Sequence, residues 1–167
     1  NKRIIEKNVP FRAGDFDITA FNVPHDSSDN VGYQIKYGDT VFSIMTDAGH
    51  VTEEMADIIG KSDYLVLESN YDEDMLRDGP YPEYLKKRIR GDYGHLCNND
   101  CAAALATNAS ERLRHVWLCH LSEENNHPEI ARKTVEHVLE TSETCRNRDF
   151  ILDVLRRKSP NGMYELI

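Results

Sequence analysis

Apolar and polar residues alternate across residues 16–23, FDITAFNV, and this period of two predicts a strand with one buried face. Residues 1–15 ahead of it are polar, with a turn signal at Arg12-Ala13-Gly14-Asp15, and read as a strand tail and loop. Two short runs follow, residues 33–37 and 40–45, joined at Gly38-Asp39 as a hairpin. The period then changes. Met55, Ile58 and Ile59 share one helical face, Thr52 is placed to cap it, and Glu53 and Glu54 suit the positive end of the helix dipole. Gly60 is expected to end that helix. Residues 63–68, DYLVLE, form a short continuous apolar run, the pattern of a strand covered on both faces.

Residues 73–92 read as loop and helix around Gly79-Pro80-Tyr81-Pro82, with a helix over 84–90 that turns Leu85 and Ile89 inward. A loop over 91–96 holds His95, and Asn98 or Asn99 is expected to cap the Ala-rich helix at 102–106. Residues 115–119 read as a strand. Pro128 fits the first turn of a helix running to about residue 140, with Ala131, Val135 and Val138 on one face, and residues 150–155 supply a last strand. The order β-β-β-α-β-α-α-β-α-β defines an α/β chain. No repeat or linker divides it, so residues 1–167 read as one unit.

Composition changes this picture little. A chain of 167 residues can bury a sizeable core. No run approaches the roughly 18 apolar residues that span a bilayer, and no membrane association is expected. The net charge of -9 opposes non-specific nucleic-acid binding by the whole surface, but leaves room for a local basic patch. Cys97, Cys101, Cys119 and Cys145 show no C-x-x-C spacing and read as reduced thiols of a cytoplasmic protein. The chain starts Asn1-Lys2-Arg3 with no signal-like segment.

The chemistry stands at strand ends. Successive predicted strands end in His25, Asp47, Glu68 and His120, and ligands of α/β sheets bind where loops leave the carboxyl ends of strands. Two histidines and an aspartate suit zinc, iron or manganese. Taken singly, each has a plainer reading: a hydrogen-bonded surface histidine, a turn-forming aspartate, a buried salt-bridge glutamate. His50, His115, His127 and His137 take that plainer reading. Lys86, Lys87, Arg88 and Arg90 read most simply as a solvated helix face, and alternatively as a grip on a phosphate backbone near His95.

Together the residues are more specific. His25 in PHDSSDNVGY, Asp47 in TDAG, Glu68 in LESN, His95 in GHL and His120 in CHLS follow in an order that resembles the second half of the metallo-β-lactamase superfamily. Within it the order is similar to the tRNase Z type. The strings LVLESNYDEDMLRDGPYPEYLKKRI, GHLCNND and HLSEENNHPEIA resemble its YycJ/WalJ branch. The resemblance covers essentially the whole chain and implies two divalent metals, zinc or manganese. It implies His25 as a ligand of one metal, Asp47 as a bridge and His120 as completing the second. It implies Glu68 and His95 as a catalytic pair, with His95 at the scissile phosphate or leaving oxygen and Glu68 orienting its ring. Asn70 and Asp72 would shape the loop around the pair.

The superfamily's His-x-His-x-Asp-His signature is absent. The resemblance therefore implies the C-terminal half of an αββα sandwich, without its N-terminal half. The sheet face left open would be covered by that half or by a second copy of the chain. The implied activity is a phosphodiesterase or nuclease acting on DNA through a metal-activated water. Two alternatives stay open: a hydrolase of small thioesters, lactones or cyclic phosphodiesters on the same fold, and a catalytically silent fragment.

Overall fold

The computed structural model describes residues 4–143 and 149–166. Seven strands form one sheet whose spatial order is the chain order. β1 (Phe11–Ala13), β2 (Phe16–Asn22), β3 (Val31–Tyr37) and β4 (Thr40–Met45) make an antiparallel meander. β5 (Tyr64–Glu68), β6 (His115–Cys119) and β7 (Ile151–Val154) then extend it in parallel. Two antiparallel steps return β4 to the direction of β2, so β2, β4, β5, β6 and β7 all run the same way. Their carboxyl ends therefore lie along one edge, which is why side chains far apart in sequence can meet there.

Helices cover one face. α1 (Glu53–Lys61) crosses from β4 to β5; α2 (Glu73–Asp78), α3 (Glu83–Ile89) and α4 (Asn98–Asn108) lie between β5 and β6; α5 (Pro128–Thr141) leads to β7. The main core packs Phe21, Met45, Leu65, Leu67, Val116 and Leu118 of the sheet against Met55, Ile59, Leu105 and Val135 of the helices. The opposite face is also apolar. In register, Tyr33 lies opposite Ile44, Ile35 opposite Phe42, Phe42 opposite Tyr64 and Val66 opposite Trp117. This face is covered only in part, by the chain after β7. Tyr164 meets Trp117 edge-on at 5.0 Å, while Phe16, Tyr33 and Tyr37 remain exposed. Among the described residues no helix is long and apolar enough to cross a membrane.

The expected elements are present with several differences. The polar segment before residue 16 contributes the short strand β1, whose Arg12 pairs with Asp17 across the turn at 2.8 Å. Thr52 caps α1 as expected, but Gly60 sits inside that helix and Ser62 terminates it, its hydroxyl donating to Ile58 O at 2.7 Å. α4 begins earlier than its alanine run. Its cap is neither asparagine but Cys97, whose sulfur accepts from Asp100 N at 3.3 Å. Asn98 is instead buried, bonded to Ser69 and Asn126. α2 had no clear periodic signal in sequence; Asp72 supplies its cap. Cys97, Cys101 and Cys119 are free and buried, while Cys145 lies outside the described residues.

Candidate metal centre

The edge formed by the carboxyl ends of the strands gathers all five candidate residues. His25 follows β2, Asp47 follows β4, Glu68 ends β5, His120 follows β6, and His95 comes from the loop between α3 and α4. Asp47 and His120 both adopt the left-handed backbone region, with φ of 58° and 57°. Non-glycine residues in that region carry strain, and such positions cluster at functional sites.

Close backbone approaches hold the loops in register. Asp26 N donates to Tyr93 O at 3.0 Å and Gly49 N to Pro24 O at 2.8 Å. A β-carbon on Gly49 would lie 2.2 Å from Asp92 O, and one on Gly94 would lie 2.1 Å from Ile89 O, so neither position admits a side chain. Asn70 Nδ2 donates to His120 O at 2.7 Å, and Ser122 N to Asn70 O at 2.7 Å, which ties the loop after β5 to the loop after β6.

Hydrogen bonding fixes the imidazoles. A carboxylate or carbonyl oxygen only accepts, so the nitrogen facing it must carry the proton. Glu68 Oε1 accepts from His95 Nδ1 and from His120 Nδ1, each at 2.7 Å, while Glu68 Oε2 accepts from Ala48 N at 2.7 Å. His25 Nδ1 donates to Gly94 O at 2.9 Å. His25 and His120 therefore both leave Nε2 with a free lone pair. Each of these Nε2 atoms lies 3.7 Å from the same oxygen, Asp47 Oδ1. His95 Nδ1 stands 3.9 Å from that oxygen. These separations exceed hydrogen bonds. They are of the order kept by ligands that each stand about 2 Å from one ion.

Glu68 has no solvent exposure. Burial pushes its carboxyl up, but hydrogen bonds from His120 and His95, the charge of His95 and the Ala48 N–H outweigh it, and the net direction is down. The Glu68 bond in turn raises His120 against the opposing effect of burial. The carboxylate thus stays ionised without water because three donors surround it. Two groups of donors have atoms within 4.8 Å of one another: His25, Asp47 and His95, and Glu68, His95 and His120. Neutral imidazoles with Nδ1 committed, around a carboxylate oxygen, are a donor set that fits borderline divalent cations.

The plainer reading holds for the other histidines. His50 Nδ1 bonds Asp92 O at 2.8 Å, His115 Nε2 bonds Asp153 at 2.9 Å, His127 caps α5, and His137 is an exposed residue of that helix. The basic run is only partly a solvated face. Lys86 is buried and donates to Arg77 O at 2.6 Å, and Arg88 grips Asp26 through both carboxylate oxygens. Sequence reasoning missed the Arg88–Asp26 pair, the bond of Glu68 to His120, and the carbonyl of Gly94 behind His25. Only the first left a trace, an acidic residue beside His25 and an arginine near His95.

A parallel-stranded α/β sheet with this site along its carboxyl edge is the architecture of a metallo-β-lactamase-fold hydrolase. The family model for the β-lactamase superfamily domain matches residues 1–120, and the chain belongs to that superfamily. It is 39% identical over 127 residues to exodeoxyribonuclease YycJ of Bacillus anthracis, covering 76% of this chain and 48% of that protein. It is 37% identical over 149 residues to exodeoxyribonuclease WalJ of Streptococcus pneumoniae, covering 89% of this chain and 55% of the relative. The chain thus spans about half the length of these curated relatives. The fold is also that of the metallo-β-lactamase fold protein YhfI from Bacillus subtilis. The TM-score is 0.63 at 16% identity, over 91% of this chain and 50% of that one.

Proposed function

We propose that the protein carrying this chain is a cytoplasmic metal-dependent phosphodiesterase that degrades DNA. The observation that carries this reading is the convergence of His25 Nε2 and His120 Nε2 on Asp47 Oδ1, with the Glu68–His95 pair beside it. The names of the YycJ and WalJ relatives supply the substrate class. His25 would hold one divalent ion, zinc or manganese, His120 a second, and Asp47 would bridge them. When bound, such a pair activates a water and polarises the phosphoryl oxygen under attack. Glu68 anchors both His95 and His120 by their Nδ1–H groups. His95 keeps Nε2 free to contact the scissile phosphate or to give a proton to the leaving oxygen.

We further propose that residues 1–167 are the second half of an αββα sandwich. The open apolar face around Phe42, Ile44 and Trp117 supports this, as does the half-length match to the relatives. The other half of the fold, or a second copy of this chain, would cover that face. Size-exclusion chromatography of the isolated chain tests it: a stable monomer in dilute buffer contradicts the proposal.

His95→Ala in the intact protein tests the catalytic reading. The expected result is a loss of about 10²- to 10⁴-fold in phosphodiester hydrolysis at full metal content. Unchanged hydrolysis would favour a small-molecule ester or lactone as substrate, and loss of metal would make His95 a ligand.

A further inference from the structure

Beside His95 and His120 opens a cleft of about 570 Å³, and its charge is opposite to that of the protein as a whole. Arg88 comes from α3, and Arg156 and Arg157 from the segment after β7; they face it against a single carboxylate, Glu123. That carboxylate is already neutralised, since Lys158 pairs with it and Arg157 Nη2 lies 3.7 Å away. Arg88 is committed to Asp26. Arg157 Nη1 donates to Leu121 O at 3.2 Å, which orients its guanidinium along the loop after β6. Arg156 is exposed, and among the described residues no carboxylate lies within ion-pair distance of it.

The other flank of the site differs. A smaller cleft of about 290 Å³ adjoins His25, and its one cation among the described residues, Lys7, is bound to Asp29 at 2.5 Å. Unneutralised positive charge therefore sits on one side of the candidate metal centre only. On a chain of net charge -9 the general surface repels a polyanion, so a local cationic cleft beside the reacting groups selects where one enters.

We propose that Arg156 and Arg157 hold the backbone phosphate of a single DNA strand next to the scissile one, so that the strand leaves the site along this cleft. The inference rests on the phosphodiesterase reading and adds the residues and the direction. Guanidiniums suit this task because their fork of donors matches two phosphate oxygens at once. A cleft of this volume is in the range that encloses a small organic ligand, the scale of a nucleotide. Tyr81 and Leu85 on its wall offer apolar surface to a base.

Fluorescence anisotropy of a labelled single-stranded oligonucleotide decides it, with the intact protein in EDTA so that no cleavage occurs, over a series of salt concentrations. The double variant R156A/R157A should bind about 10- to 100-fold more weakly. Its slope of log affinity against log salt should fall by about 1.4, from roughly 0.7 per lost phosphate contact on single strands. R156K/R157K should recover the slope but only part of the affinity. Arg12→Ala, remote at β1, should change neither. Wild type that binds with a slope untouched by R156A/R157A overturns this inference alone. Wild type that binds no oligonucleotide overturns it together with the phosphodiesterase reading.

Discussion

Glu68 and His120, 52 residues apart in the chain, are joined by a 2.7 Å hydrogen bond from Nδ1 to Oε1. The same oxygen accepts from His95 at 2.7 Å. One buried carboxylate thus sets the tautomer of a candidate ligand and of a candidate acid together. Glu68→Gln keeps the volume, but puts an amide that donates where an acceptor must serve two rings. At least one imidazole then loses its anchor. Metal affinity, measured by chelator competition, is expected to fall about 10- to 100-fold. Activity should fall further than His95→Ala alone would lower it. A variant that keeps wild-type metal affinity would confine Glu68 to orienting His95.

Gly94→Ala is expected to damage the site from the scaffold side. The new β-carbon would meet Ile89 O at 2.1 Å and Arg88 O at 2.4 Å, both backbone atoms that cannot swing away. Overpacking of this kind costs about 1–3 kcal/mol. The loop that must shift carries both the carbonyl behind His25 and His95 itself. Thermal unfolding should therefore begin at lower temperature, and metal affinity should drop with it. An unchanged melting temperature would show that the loop yields freely.

Much of this arrangement was legible in the sequence. The strand–helix alternation places His25, Asp47, Glu68 and His120 at strand ends, and strand direction does the rest once β2 and β4 run the same way. What sequence cannot carry is the partner of each ring. His25 is anchored by a backbone carbonyl 69 residues away, which has no residue-type signal at all. The Cys97 cap was hidden because sulfur is a weak acceptor, while two asparagines next to it are strong capping residues. Those asparagines are spent otherwise: Asn98 joins a buried network with Ser69 and Asn126, and Asn99 donates to Glu73.

Asp26 and Arg88 give a pH-dependent contribution whose sign is fixed. The Arg88 guanidinium, bonded to both oxygens, holds the Asp26 carboxyl below its ordinary value of 3.8. A carboxyl lowered on folding stabilises the fold above its unfolded-state value, and that stabilisation is lost as pH falls through the lowered one. The difference in melting temperature between wild type and Asp26→Asn should thus be largest near neutral pH and close below about pH 4. A difference that widens on acidification would contradict the pairing. Because the pair is exposed to solvent, added salt should shrink the difference as well.

The three described thiols should be chemically silent while the fold is intact. Burial pushes Cys97 up to about 12 and Cys119 up to about 12. Cys101, with no solvent exposure, is raised further in the same direction. Nucleophilic thiol chemistry needs the thiolate, so at pH 8 these groups lack both the reactive form and the access. Ellman's reagent should therefore leave Cys97, Cys101 and Cys119 unmodified in native protein and modify all three once guanidinium unfolds it. Cys101 is the sharpest probe, since it lies in the main core beside the α4–sheet contact. Rapid native labelling at Cys101, mapped by mass spectrometry, would mean that α4 opens without global unfolding. It would also mean that the floor beneath Glu68 is far looser than its hydrogen bonds imply.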